Sequence, residues 1–196
     1  MRHHWAMLKP WIIALTLAGS QAVSQGELQD EFQAATCPAP PDHSAALNRL
    51  LDRVQAAGSE SQARQISDQM WALWASAPDE IAQEILNAGM AKRASYDLLG
   101  ARQAFDRLIA YCPDYAEGYN QRAFVNFIRQ DYSASLTDLE RTLALSPRHL
   151  GAMTGKALAL MGLGRMDEGQ QVLRAALALN PWLPERHLLT PGGEEL

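Results

Sequence analysis

The chain has 196 residues, 47% hydrophobic and 20% charged, and a formal net charge of -5 at pH 7. That length allows one domain or two with ample core to bury, at the balance of an ordinary soluble globular protein. An acidic chain lacks the basic face that a phosphate backbone requires, which argues against nucleic acid as a partner.

In chain order, residues 1–22 read as a secretory signal peptide. Arg2 and Lys9, with His3 and His4, form a basic front; an apolar run from Trp11 to Ala18 follows, and the first acid is Glu27. As a helix the run from Trp11 to Gly19 spans about 14 Å at roughly 1.5 Å per residue, against about 30 Å of hydrocarbon core, so it is too short to cross. Ser20-Gln21-Ala22 supplies small residues for cleavage after Ala22, with Ser24 as the rival site. No cysteine follows at the distance that lipid attachment needs. Cleavage removes two cations and no anion, moving the formal charge from -5 to -7. The expected mature chain has no membrane span and is periplasmic or secreted.

Residues 23–43 are polar and then Pro-rich, a flexible linker ending in Cys37-Pro38-Ala39-Pro40-Pro41. Residues 44–81 read as a helical hairpin. Ser44 is a reasonable N-cap before Leu47, Leu50, Leu51 and Val54 at helical spacing, and Gly58 stops that run. Ser59 or Ser61 starts a second helix carrying Ala63, Ile66, Met70, Leu73 and Trp74, closed by Pro78. Trp71 and Trp74 are expected in packing, with a ligand-binding aromatic pair as the alternative.

From residue 82 the chain repeats itself. Pro113, Pro147 and Pro181 stand 34 residues apart and close segments 82–115, 116–149 and 150–183. Small residues recur at Gly89, Ala123 and Ala157 and again at Ala101, Ser135 and Gly169, with apolar partners at Phe105, Leu139 and Leu173. Each small pair marks a place where two helix backbones approach closely. These segments resemble tetratricopeptide repeats, which implies an all-α helix-turn-helix repeat solenoid. In the first unit Lys92 stands where the family has a large apolar residue, and Tyr96 where glycine is usual at the turn. Pro78 lies 35 residues before Pro113, one off the period, so residues 44–81 are expected to be a degenerate first repeat capping the N-terminal end of the stack. Residues 184–196 form a short tail, too short for the extra helix that often covers the last unit. Leu173 and its neighbours are therefore expected to be partly uncovered, which allows self-association.

By the resemblance, the first helices line a concave groove for an extended peptide or a partner helix. Its positions here are Leu86, Asn87, Met90 and Arg93; Asn120, Gln121, Phe124 and Phe127; and Thr154, Leu158 and Met161. Phe and Met offer adaptable apolar contacts, and the amides can pair with a peptide backbone. Family members that grip acidic chaperone tails use a set of Lys, Arg and Asn. Here Gly151 and Gly155 fall where cations are needed.

The two cysteines, Cys37 and Cys112, are too few and too far apart for a zinc site or a C-x-x-C motif. In an exported array both fall at the same edge of the stack and can pair; the alternative is two free thiols. No catalytic constellation, phosphate-binding loop or metal-ligand spacing occurs, so no enzyme activity and no cofactor are expected. His43, His149 and His187, and acids such as Asp138, are expected in solvent. The function that follows is an exported, non-enzymatic adapter holding a partner protein or peptide in its groove, in an envelope-assembly role. The alternative is a self-associating structural module that uses the groove or the C-terminal end.

Overall fold

The computed structural model describes residues 36–190. The signal-peptide reading, the linker before Thr36 and the last residues of the tail fall outside them. Eight helices follow in order: α1 (Ser44–Gln55), α2 (Glu60–Trp74), α3 (Glu80–Ala94), α4 (Leu98–Tyr111), α5 (Ala116–Ile128), α6 (Tyr132–Leu145), α7 (Leu150–Gly162) and α8 (Met166–Leu179). A 3-10 turn at Pro184–Leu188 ends the described chain. The fold is all-α.

Helix starts are written in short polar side chains that accept the free backbone N–H groups of the first turn. Ser59, Asp79, Asp97 and Asp131 cap α2, α3, α4 and α6 in this way. Ser44 is not the cap of α1; its own N–H donates to Asp42 Oδ1 at 2.9 Å, and His43 precedes the helix without a side-chain cap.

The three turns share one geometry at the repeat spacing. Tyr96, Gln130 and Gly164 all have positive φ, of 64°, 62° and 76°. In each, the N–H after the turn residue reaches back five residues, as from Asp97 to the Lys92 carbonyl at 2.9 Å, and Arg165 to Leu160 does the same at 2.9 Å. This is a Schellman closure, in which glycine is the residue without a Cβ penalty. Tyr96 is 72% exposed, so its ring offers little packing in return. Tyr96→Gly is therefore expected to raise unfolding stability by about 0.5–1 kcal/mol in urea denaturation, whereas Gly164→Tyr should lower it.

Within the units the small residues do what their size predicts. Ser135 is fully buried and its hydroxyl donates to the Ala123 carbonyl at 2.9 Å. A Cβ added at Gly169 would meet the Ala157 carbonyl at 2.9 Å. Gly89 instead makes room for the Phe105 ring. Between the first and second units Arg122 of α5 is shared by Asp138 of α6, at 2.6 Å, and Asp106 of α4, at 2.8 Å. Asp138 is buried rather than solvated, and the two carboxylates hold the Arg122 guanidinium above its ordinary pKa.

The hairpin α1–α2 is where sequence and structure part. Sequence pattern predicts a cap on the first repeat. Instead its apolar side, with Leu50, Leu51, Val54, Ile66 and Met70, packs on Leu150 of α7, Ala176 of α8 and Leu183 of the tail. Gln55 Nε2 donates to the Ala178 carbonyl, Asn180 Nδ2 to Ser67 Oγ, and Arg186 pairs with Glu60. The C-terminal end is thus covered by the chain's own N-terminal hairpin, and Leu173 is buried. Ends of the array must hide apolar faces, and a hairpin that reaches the far end satisfies that need as well as one stacked in sequence order.

Both strands of chain that lead into the hairpin are fixed on the first repeat. Cys37 is bonded to Cys112 at the end of α4, with 5.2 Å between Cα atoms. On the other side, Tyr111 OH donates to Asp79 and Tyr115 OH to the Trp74 carbonyl, at 2.7 and 2.9 Å. The hairpin therefore bridges the first and last repeats.

Candidate functional site

Helices α5 and α7 present their inner faces to the C-terminal end of α2, and a cavity of about 400 Å³ lies between them. Seven of the eleven groove positions line it: Arg93, Asn120, Gln121, Phe124, Phe127, Thr154 and Leu158. The other four do not. Leu86 is wholly buried in the α3–α4 core, and Met90 packs on the same core. The Met161 side chain occupies the space beside Gly169, and Asn87 is exposed on α3, its Oδ1 accepting from Gln83. Leu86, Met90 and Met161 pack between helices, because a side chain facing a close neighbouring helix cannot also face a groove, whereas Asn87 stays in solvent.

The missing wall comes from the hairpin. Trp71 and Trp74 line the cavity, as does Glu185 from the tail. Trp71 is 44% exposed and Phe124 48%, so two aromatic side chains stand at the solvent margin. Periodicity showed that α2 buries a stripe, but it carried no signal that the stripe's last turn would face α5 and α7.

Beneath this cavity lies a buried polar network absent from the sequence prediction. The Glu117 carboxylate, fully enclosed, accepts from Asn120 Nδ2, Gln121 Nε2 and His149 Nε2, the last at 2.9 Å. His149 Nδ1 accepts the Ala152 N–H at 3.2 Å, capping α7. With that nitrogen an acceptor, the imidazole proton sits on Nε2 and is donated to Glu117. Trp74 stacks on the same ring, with centroids 4.2 Å apart. His149, expected in solvent from its place before a helix, is thus the buried post on which the hairpin's last tryptophan rests. Its signal was hidden, because a His at an N-cap looks the same in sequence whether wet or dry.

Among the described residues, Gln121 Oε1, Trp74 Nε1 and Glu185 Oε2, all on residues lining the cavity, are buried atoms that form no hydrogen bond. Arg93 is half-buried, with its guanidinium 4.4 Å from the Phe124 ring centroid, and among the described residues no carboxylate pairs with it. Desolvation pulls its pKa down from the ordinary arginine value, opposed by the more distant charge of Glu117. Tyr115 is pushed up by its own burial and by Glu117. A second cavity of about 380 Å³ shares Trp74 and His149 and is bounded by Pro40, Pro41 and His43 of the segment before α1. No cluster of His, Cys, Asp and Glu suited to a metal occurs among the described residues, and no described helix is long and apolar enough to cross a membrane.

Similarity to known proteins follows the repeats. A TPR repeat-containing protein of Rhizobium etli is 46% identical over 59 residues, covering 30% of this chain and 29% of the relative. The Tetratricopeptide repeat protein 36 homolog of Nematostella vectensis is 34% identical over 76 residues, 39% of this chain and 41% of its own. The chain thus spans less than half the length of the curated relatives it matches. No family model matches it. Among solved structures, the Arabidopsis OM64 TPR domain superposes with a TM-score of 0.54 at 18% identity, over 55% of this chain and 89% of that one. The first TPR of Spaghetti bound to an HSP90 peptide gives 0.53 at 17% identity, over 55% and 85%. The TPR2B domain of yeast Sti1, in complex with an Hsp70 peptide, gives 0.51 at 20%, over 55% and 89%. The fold is a tetratricopeptide-repeat solenoid. In this array the last turn of α2 stands opposite the inner face of the second and third units, and the cavity between them is the candidate site.

Proposed function

We propose that this chain is a non-enzymatic tetratricopeptide adapter that binds a partner protein or peptide at the inner face of its second and third repeats. The observation that carries the reading is the placement of Phe124 and Trp71, two half-exposed aromatic side chains on opposite walls of one cavity. Aromatic side chains held at a cavity rim are what a protein interface uses as anchors. Two of the structural neighbours are complexes with chaperone peptides. An acidic chaperone tail is not the ligand proposed here, since Gly151 and Gly155 occupy the cavity wall in place of cations. The proposed setting is the periplasm or the exterior, in cell-envelope assembly after signal cleavage. The Cys37–Cys112 bond supports it, because disulfides persist in oxidising compartments.

A photo-crosslinking pull-down from envelope extract tests the reading, comparing the protein with Phe124→Glu and Trp71→Glu variants shown by circular dichroism to stay folded. A partner captured by the parent and lost by both variants is the expected outcome. Equal capture by all three would move binding to the outer helices and overturn the assignment of the inner face.

A further inference from the structure

The cavity's polar chemistry is more particular than a peptide groove requires. Three buried atoms on residues that line it form no hydrogen bond among the described residues, the donor Trp74 Nε1 and the acceptors Gln121 Oε1 and Glu185 Oε2. The Arg93 guanidinium lies over the Phe124 ring and, among the described residues, has no carboxylate partner, which adds a second set of donors at the cavity wall. Arg93 and Glu185 also bring one charge of each sign. Gln121 cannot escape by turning its amide, since it is 3% exposed and its Nε2 is committed to Glu117. Flipping would set an oxygen against that carboxylate, so Oε1 is held as an unpaired acceptor. Buried polar atoms in native proteins are seldom left so, and several in one cavity mark a place where another molecule supplies the partners.

The shape of the site limits what that molecule is. Trp71 and Trp74 of α2, with Glu185 of the tail, wall the cavity against α5 and α7 and narrow the inner face there. What remains is about 400 Å³, within the roughly 300–1,000 Å³ typical of small-molecule sites. A simple cation would meet Arg93, and a simple anion would meet Glu185, with Glu117 close behind Gln121. A zwitterion meets both charges with the right sign. Trp71, Phe124, Phe127 and Leu158 complete the wall with apolar surface for a side chain.

We infer that the cavity binds a free zwitterionic amino acid or dipeptide with a bulky apolar side chain, its carboxylate toward Arg93 and its ammonium toward Glu185. The inference goes beyond partner binding and does not rest on it. Isothermal titration of the purified protein with L-phenylalanine, L-leucine and L-phenylalanyl-L-leucine tests it and separates amino acid from dipeptide. At least one is expected to bind saturably at one site. N-acetylation, which removes the ammonium, and amidation, which removes the carboxylate, are each expected to weaken binding at least about tenfold, as loss of a charge-assisted contact does. The protein side must match: Arg93→Gln weakens the zwitterion but not its amide, and Glu185→Gln weakens the zwitterion but not its N-acetyl form. Circular dichroism checks that both variants fold, and if Arg93→Gln does not, the acid and amide pair on the parent protein reads the same contact. No heat of binding at millimolar zwitterion would overturn the proposal, as would binding unchanged by either variant. Capture of a partner in the pull-down without zwitterion binding would remove this proposal alone.

Discussion

Cys37→Ser is expected to lower unfolding stability by up to about 4 kcal/mol. The bond joins residues 75 apart in sequence, and cross-linking a loop of that length removes that much entropy from the unfolded chain. For a domain of this size the shift in melting temperature is on the order of 10 °C. Cys37 is the partner to change, because it is half-exposed, whereas Cys112 is buried at 1% exposure and its loss would also disturb the α3–α4 core. Thermal denaturation with and without a thiol reductant gives the answer. The parent should fall to the level of the variant when reduced, and the variant should not respond. Alkylation without reductant, read by mass spectrometry, must leave both parent sulfurs unlabelled; labelling of both would show that the pair does not form. The same bond fixes one end of the hairpin to the first repeat, so the variant should also exchange α1 amides faster than those of α4.

Removing the Glu117 carboxylate should cost as much by a different route. Glu117→Ala leaves the enclosed donors of His149 and Gln121 unpaired, and that of the half-buried Asn120 without its acceptor, at an expected cost of about 3–5 kcal/mol. Glu117→Gln keeps one acceptor oxygen and should cost less. As a control, Glu140, whose carboxylate is 55% exposed and pairs with Lys156, should change stability by less than about 0.5 kcal/mol when truncated to alanine. Urea denaturation ranks the three. Because Trp74 stacks on His149, the near-ultraviolet circular dichroism of the folded Glu117→Gln protein should also change, while that of the Glu140→Ala variant should not. Equal stability of the alanine variant and the parent would mean that the network is wet rather than buried.

Much of the array was legible in the residues themselves. The 34-residue spacing of Pro113, Pro147 and Pro181 placed three helix pairs, because each pair is a local unit whose turn and close approach need the same residue types at the same offsets. Even the departure at Tyr96 was visible, and the structure shows its consequence, a tyrosine held at positive φ where the third repeat has Gly164. Asn120, Gln121, Phe124 and Phe127 lie on one helix and line one cavity, as helical spacing dictates.

What sequence determined about this protein is therefore its repeat: the helices of the described residues, their turns, the small residues where they touch, and the pairs of faces that must be hidden. Only the tertiary structure decided which face hides which. An apolar stripe specifies that water be excluded and says nothing of the partner, because hydrophobic attraction is not directional. So Leu51, Ile66 and Met70 announced burial without announcing that they would seal the last repeat rather than the first. That one choice covered the C-terminal end of the stack, brought Trp71 and Trp74 over α5 and α7, and turned an open groove into a cavity lined by both Arg93 and Glu185.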